Sequence, residues 1–227
     1  YSYVEEDYPR AFKALEEALK ISEEVKDIVS LVLATQWYGC ALGMHCEFER
    51  STNYLQIGLD INLAAKNLWE IGIMKSNLSY FSYFQQGKID LAFKTGNEAI
   101  HIAEESGDIY SKAMAYVSHG TSCYGKGLFE EADKHLMKGL GFSERINLLA
   151  WDGCAQFHLG DTYFEIGNFQ RSKQHYEKGI WALERNRIFP SWANLGKVGL
   201  ARSKVMNKEK DVDLESLYAH SRNNKIK

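Results

Sequence analysis

Apolar and small residues recur three or four positions apart through much of the chain, which is the spacing of one face of an α-helix. One such stripe runs through Phe129, Ala132, Leu136, Gly139 and Leu140. The two acidic residues that follow Phe129 would lie in the first helical turn, where the helix dipole favours negative charge. The pattern therefore predicts amphipathic helices joined by short turns.

The helical stripes repeat at a nearly fixed interval. The segments 87–92, 127–132 and 167–172 align with one another at a constant spacing of 40 positions. One small residue marks the same position in five successive segments. These markers are Ala11, Ser51, Ala92, Ala132 and Ser172. Their intervals are equal except for the one from Ser51 to Ala92, which is longer by a single position, and such self-similarity predicts a helical-repeat protein.

A second small residue precedes the marker by 12 positions in three of the units. These residues are Gly39, Gly120 and Gly160. Two helices can approach closely where small residues face each other, so we expect these positions to form the contact within each helix pair. In the remaining unit Tyr80 stands at this position, and the sequence predicts looser or rearranged packing there.

The predicted fold class is all-α, a right-handed solenoid of helical hairpins with about 10–12 helices. The long stretch between Pro9 and Pro190, the two prolines of the chain, contains no helix breaker. We divide the chain, as a single domain, into a partial repeat (1–27), repeats 28–67, 68–107, 108–147 and 148–186, and a capping helix with its tail (187–227). An unpaired first helix would expose Leu15, Ala18 and Leu19.

The pattern resembles the tetratricopeptide repeat (TPR) family over roughly Asp7 to Asn207, with a large apolar residue such as Tyr83 or Tyr163 near the small ones. The usual family unit is about 34 residues, so the longer units here add about one turn per helix. The resemblance implies a noncatalytic protein-binding scaffold. The segment Phe189–Leu217 is also similar to the end of the TPR array in large bacterial proteins that link cyclase or kinase modules to an ATPase domain, which implies a regulatory signalling segment.

In this family the partner-facing residues lie on the first helix of each unit, along the concave surface. We define the concave set as Gln36, Cys40, Met44, Met74, Asn77, Phe81, Phe84, Gln85, Met114, Val117, Thr121, Tyr124, Cys154, Phe157, Asp161, Phe164 and Glu165. Family members that clamp a terminal carboxylate use Lys, Asn and Arg at such sites, and here Asn77 alone fits. The aromatic and Met-rich set predicts an apolar partner. Tighter coiling, which would bury these side chains against the opposite repeat, stays open as the alternative.

Composition and charge limit the classes of partner that the chain is expected to bind. The 227 residues are 45% hydrophobic with a net charge of −3, which excludes a disordered chain and offers no basic surface for nucleic acid. No apolar stretch reaches the ~20 residues of a membrane span. The four cysteines match neither a disulfide framework nor a paired CxxC site, and no signal peptide is seen, so we expect a cytoplasmic protein. The start at Tyr1, without an initiator Met, suggests a segment of a longer protein. The apolar surface expected on the unpaired first helix favours the same interpretation, or a homodimer through exposed terminal repeats.

Three motifs suggest a nucleotide-binding, metal-binding or glycosylation site, and the repeat pattern accounts for each of them. Gly120–Gly127 satisfies GxxxxGK but lacks the Ser or Thr that ligates magnesium, and both glycines are assigned to packing and a turn. His119 and Cys123 share a helix face, but two ligands make no closed metal site, and a buried histidine and thiol is the better interpretation. The Asn77 sequon lies within a predicted helix. We therefore expect no catalytic residue, cofactor or metal.

Two functions remain. The first is a noncatalytic scaffold that binds a partner peptide or helix, or another domain of the same full-length chain, through the aromatic concave residues. The second is a small-molecule sensor that modulates an attached cyclase or ATPase.

Overall fold

The computed structural model describes residues 3–210 and 212–222, and this part of the chain is helical throughout, without a strand. The bounds are α1 Tyr8–Glu24, α2 Ile28–Met44, α3 Phe48–Ala65, α4 Leu68–Asn77, α5 Ile89–Ser106, α6 Ile109–Gly125, α7 Phe129–Arg145, α8 Leu149–Glu165, α9 Phe169–Asn186, α10 Pro190–Met206 and α11 Leu214–Arg222. The predicted all-α solenoid of helical hairpins is confirmed.

The helices form two layers. Within the described residues, the even-numbered helices α2 to α10 contact one another in succession, whereas the odd-numbered helices contact only even-numbered neighbours. The even-numbered helices therefore form the inner layer, and α6 is buried without interruption from Ala113 to Cys123. An outer helix buries a single stripe. In α7 this stripe is Ala132, Leu136, Gly139, Leu140 and Ser143.

The turns between helices use residues in the left-handed region of backbone space, and these residues recur at the repeat interval or one position more. In the turns that lead into an outer helix or follow α10 they are Glu6, Cys46, Gly87, Gly127, Gly167 and Lys208. In the turns that lead into an inner helix they are Lys26, Lys66, Gly107, Asn147 and Arg187. Glycine adopts this conformation without steric cost. Phe189, with φ of 47°, is the one described left-handed residue outside both series.

The longer interval between Ser51 and Ala92 coincides with a change of helix type. After Asn77, α4 continues from Leu78 to Phe84 as a π-helix, which we call the π-segment. A π-turn accommodates one residue more than an α-turn. Ser79 is thereby the small residue that faces α5, and its hydroxyl donates to the Ala92 carbonyl at 2.8 Å. Tyr80 itself does not occupy this contact, because the extra residue turns its ring towards the inner axis. The packing at this position is rearranged, as the sequence predicts.

The apolar side chains of α1 are more buried than expected for a helix without a preceding partner helix. Leu19 is buried in a cluster with Tyr38 of α2, and Leu15 and Ala18 are half-buried beside it. The expectation that these three residues form an exposed surface is therefore wrong, since α2 covers them. The exposed apolar side chains lie further along, with Val25 65% exposed at the end of the helix.

Two glycines of α7 provide a matched test of this packing. Replacing Gly139 by alanine is expected to lower the free energy of unfolding by about 2 kcal/mol, because the new methyl would lie 2.8 Å from the backbone nitrogen of Val117. Replacing Gly141 is expected to raise it by about 0.5–1 kcal/mol, because alanine favours a helix and no described atom lies within 4 Å. Urea unfolding followed by circular dichroism measures both changes, and equal effects would contradict the packing described here.

Candidate partner-binding surface

The two ends of the repeat array meet across the inner axis. Residues 3–7, which we call the N-terminal strap, dock on the start of α10. The Val4 carbonyl accepts a hydrogen bond from the Phe189 amide at 2.7 Å, and the two Glu6 carboxylate oxygens lie 3.0 and 3.2 Å from the Ser191 amide. The Tyr3 ring packs at 5.5 Å from the Phe189 ring. The strap therefore joins positions that are far apart in the chain.

Much of the concave set lies beneath this closure. Ten of its members are buried, each 0–6% exposed. They are Gln36, Cys40, Met44, Met74, Asn77, Phe81, Met114, Val117, Thr121 and Cys154. The enclosed space that remains among six of them is about 100 Å³, with Tyr3 and Trp192 also in its wall. Met74 and Val117 instead pack towards the outer helices, against Gly58 and Gly139. A partner cannot reach these side chains in this structure, so the prediction that they bind one applies only to another conformation.

An open pocket remains at the other end of the concave surface. It encloses about 350 Å³ between the π-segment, α8, α9 and α10, and we call it the α10 pocket. Five members of the concave set line it, and one of them, Cys154, is itself buried. The other four are Phe84, Gln85, Phe157 and Asp161. The pocket therefore brings together the part of the predicted surface that a partner can reach.

The sequence did not indicate the α10 side of this pocket. Leu195 is 51% exposed in its wall, and Arg202 lies at its edge, with the guanidinium carbon 4.2 Å from the centre of the Phe164 ring. Phe164 and Tyr124 are half-buried, and Glu165 is exposed. The register could have revealed the α10 residues, because α10 takes the inner-helix position that α8 holds one unit earlier.

The polar groups of the α10 pocket form two hydrogen-bonded sets that approach each other at His158 and Asp161. The Tyr176 hydroxyl donates to Asp161 Oδ1 at 2.5 Å, and His158 Nδ1 lies 3.4 Å from Asp161 Oδ2. The Tyr80 hydroxyl lies 3.2 Å from His158 Nε2 and accepts a hydrogen bond from the Cys154 thiol at 3.5 Å. Burial raises the pKa of both phenols and of the thiol, so these groups keep their protons at neutral pH. The two sets offer hydrogen bonds and one carboxylate rather than an activated nucleophile.

The two sequence matches to a phosphate-binding loop and to a glycosylation sequon occupy structural positions. The Cβ of any larger residue at Gly120 would lie 2.8 Å from Leu136, and Gly127 has φ of 75° in a turn. Asn77, the sequon residue, is 1% exposed inside the inner layer. These residues therefore serve the packing of the repeats.

One group of metal-ligating side chains occurs in the described part of the chain. His119, Cys123 and His135 offer ligand atoms that all lie within 4.8 Å of one another. The sequence indicated the first two, and His135 joins them from α7. The repeat register could have predicted that His135 faces α6. The equivalent residue of the next repeat, His175 of α9, faces α8, and its Nδ1 lies 2.8 Å from Gln156 Oε1.

Comparisons with known families agree with this architecture. A tetratricopeptide repeat model matches residues 155–180. A model described as anaphase-promoting complex subunit 5 matches residues 4–45 and 43–119, which together span just over half of the chain. The chain belongs to the family of this second model, and it is built from TPR-like repeats.

The TPR-like fold is shared with several solved structures. BtubC (BKLC) from P. vanneervenii has a TM-score of 0.69 and 14% identity, covering 95% of this chain and 90% of that one. The TPR sensor protein PH0952 from Pyrococcus horikoshii, a signal transduction ATPase with numerous domains, has a TM-score of 0.59 and 14% identity, covering 92% of this chain and 32% of that one. A putative kinesin light chain from Podospora anserina has a TM-score of 0.55 and 15% identity, covering 84% of this chain and 93% of that one. No curated protein matches the TPR-like sequence.

Two further findings bear on the partners of this TPR-like chain. Repeats of this type suggest a protein-interaction scaffold and hence protein partners. In the described part of the chain, none of the helices combines the length and the apolar character that crossing a membrane requires.

Proposed function

We propose that the chain is a noncatalytic interaction scaffold, a regulatory segment of a larger cytoplasmic bacterial signalling protein, that binds a partner peptide or helix in the α10 pocket. The observation that supports the proposal is the opening of this pocket beside a concave surface of which ten members are buried. Its walls carry accessible apolar surface at Phe84 and Leu195. Accessible apolar surface in a concave site favours binding of an apolar side chain.

The charges at the edge of the pocket favour a particular partner sequence. Arg202 is exposed and stacks on Phe164, and no described carboxylate forms an ion pair with it. Asp161, by contrast, is engaged by Tyr176 within the pocket. The matching partner would place a large apolar side chain against the apolar wall of the pocket and an acidic residue beside the positive charge of Arg202.

Selection from a displayed library of short random peptides tests this proposal. Enriched peptides are expected to combine a large apolar residue with a neighbouring acidic one. Leu195→Glu and Arg202→Glu are each expected to weaken the binding of such a peptide by about tenfold or more, which corresponds to about 1.4 kcal/mol. Fluorescence anisotropy with a labelled peptide measures the loss.

The choice of variants follows from burial. Substituting Phe81, which is 6% exposed, or Phe157, whose ring fills the space beside Gly179 and Gly196, would disturb the fold itself. Trp181→Glu is the matched control, since Trp181 is 60% exposed on the outer helix α9. Peptide binding that survives both pocket variants, or that is lost equally in the control, would contradict the proposal.

A small-molecule sensor that modulates an attached cyclase or ATPase is the second candidate. The volume of the α10 pocket, about 350 Å³, supports it because small-molecule sites occupy about 300–1,000 Å³. A thermal-shift screen against metabolites separates the two functions. A stabilising compound that Leu195→Glu abolishes would favour the sensor, whereas stabilisation by selected peptides alone would favour the scaffold.

A further inference from the structure

Three side chains with affinity for soft metal ions meet between α6 and α7, apart from the α10 pocket. His119 and Cys123 lie one turn apart on the same face of α6, and His135 approaches them from α7. The rings of the two histidines lie 4.8 Å apart, nearly perpendicular to each other. Two imidazoles and one thiol are the donor set that Zn²⁺ and its neighbours in the transition series bind well.

The two histidines present nitrogen atoms that the protein leaves unused. His119 is 4% exposed, and neither its Nδ1 nor that of His135 has a hydrogen-bond partner among the described residues. An unsatisfied buried polar atom is costly, so such atoms call for a ligand. The imidazole of His119 also interacts with the backbone of Phe93. Metal-binding histidines are commonly oriented in this way through their second nitrogen.

The following repeat shows that this arrangement is not a general packing feature of the fold. The equivalent positions of that repeat hold Leu159, Tyr163 and His175. There the histidine is satisfied, because its Nδ1 lies 2.8 Å from Gln156 Oε1. The unsatisfied histidine pair and the thiol are thus specific to the α6–α7 hairpin.

We propose that His119, Cys123 and His135 bind one Zn²⁺ ion between α6 and α7. Ligands of a tetrahedral Zn²⁺ lie about 3.5 Å apart, so side-chain movements of about 1 Å would bring the three donors into place. The Cys123 thiol gives its proton to solvent as the Zn–S bond forms. Water takes the fourth position, and Glu131, whose charge acts on both Cys123 and His135, offsets the positive charge of the site.

Burial acts on the three ligands in opposite directions, since it favours neutral imidazoles but also raises the pKa of the Cys123 thiol to about 11. It lowers the pKa of His119 to about 4 and that of His135 below its ordinary value. Both rings are therefore neutral at pH 7 and keep a lone pair for the metal. The ion would connect the two helices of one hairpin, so binding is expected to stabilise the fold as well.

Titration with Co²⁺, a spectroscopic substitute for Zn²⁺, tests the site. One equivalent is expected to produce the near-ultraviolet charge-transfer band of a cobalt–thiolate bond together with the visible bands of a tetrahedral ion. Zn²⁺ is expected to displace the Co²⁺ and to raise the melting temperature. Cys123→Ser should remove the charge-transfer band, and His135→Asn should weaken binding at least tenfold.

Two matched controls make the outcome decisive. Cys40→Ser alters another buried thiol, and His175→Asn alters the equivalent histidine of the next repeat. Both proteins are expected to bind Co²⁺ like the unmodified chain. A band that persists without Cys123, the same weakening in both histidine variants, or no binding of either metal by the reduced protein would overturn the proposal. If Cys123→Ser fails to fold by circular dichroism, His135→Asn decides the matter alone.

Discussion

Replacing Glu6 with alanine is expected to lower the free energy of unfolding by about 3 kcal/mol, because its buried carboxylate accepts hydrogen bonds from both the amide and the hydroxyl of Ser191. The carboxylate is almost fully buried, at 2% exposure. Alanine would leave the Ser191 amide without this acceptor in a dry environment. Urea unfolding followed by circular dichroism measures the change.

The size of this effect follows from how α10 begins. The first amides of a helix lack intrahelical acceptors, and a polar side chain just before the helix usually satisfies one of them. Here that position holds Phe189, which has no side-chain acceptor, followed by Pro190, which has no amide hydrogen. Glu6 therefore caps α10 from the opposite end of the chain, and its negative charge lies where the helix dipole favours it.

The same substitution is expected to loosen the closure of the superhelix. The strap also holds Phe189 in its left-handed conformation through the hydrogen bond to Val4, and a bulky residue is strained there. Hydrogen exchange at the Ser191 amide should accelerate in Glu6→Ala. Glu5→Ala, which changes an exposed neighbour, provides the control. If both variants unfold at the same urea concentration, the strap does not close the array.

The repeat architecture could be predicted from the sequence because it rests on contacts between residues close in the chain. Gly120 lies against Leu136, 16 positions away, and the marker Ala132 is fully buried in the same hairpin. Stripes of apolar residues and a recurring interval encode contacts of this kind. Four such units then specify the solenoid by repetition.

The accessible part of the concave surface could not be predicted in the same way. Phe81 lies in the enclosed space whose wall includes Tyr3 and Phe189, and no periodic pattern reports the contact between those two rings. The position of Tyr80 depends on a helix type that is rare in proteins. Its one signal is the longer interval between two markers, which does not say where in the unit the extra residue lies.

Deleting Tyr80 is expected to leave a folded protein that is less stable by about 3–5 kcal/mol, the usual cost of losing a buried aromatic side chain. Without it, Ser79 would stand at the same distance before the marker of the next helix as Gly120 and Gly160 do in their units. The π-segment could then relax into a regular α-helix with both of its ends still in register. Circular dichroism in the near ultraviolet and urea unfolding measure the outcome.

Deleting Thr121 provides the matched comparison, because it also removes one buried residue from the middle of an inner helix. α6 contains no π-turn that could absorb the deletion, so every later residue of the helix would rotate by about 100°. Ser122 and Cys123 would leave their buried positions, and we expect the cooperative unfolding transition to be lost. Two deletions that unfold the chain equally would contradict the assignment of the extra residue to the π-segment. A folded protein without Tyr80 would mean that this residue serves the α10 pocket, whose wall it forms, rather than the repeat itself.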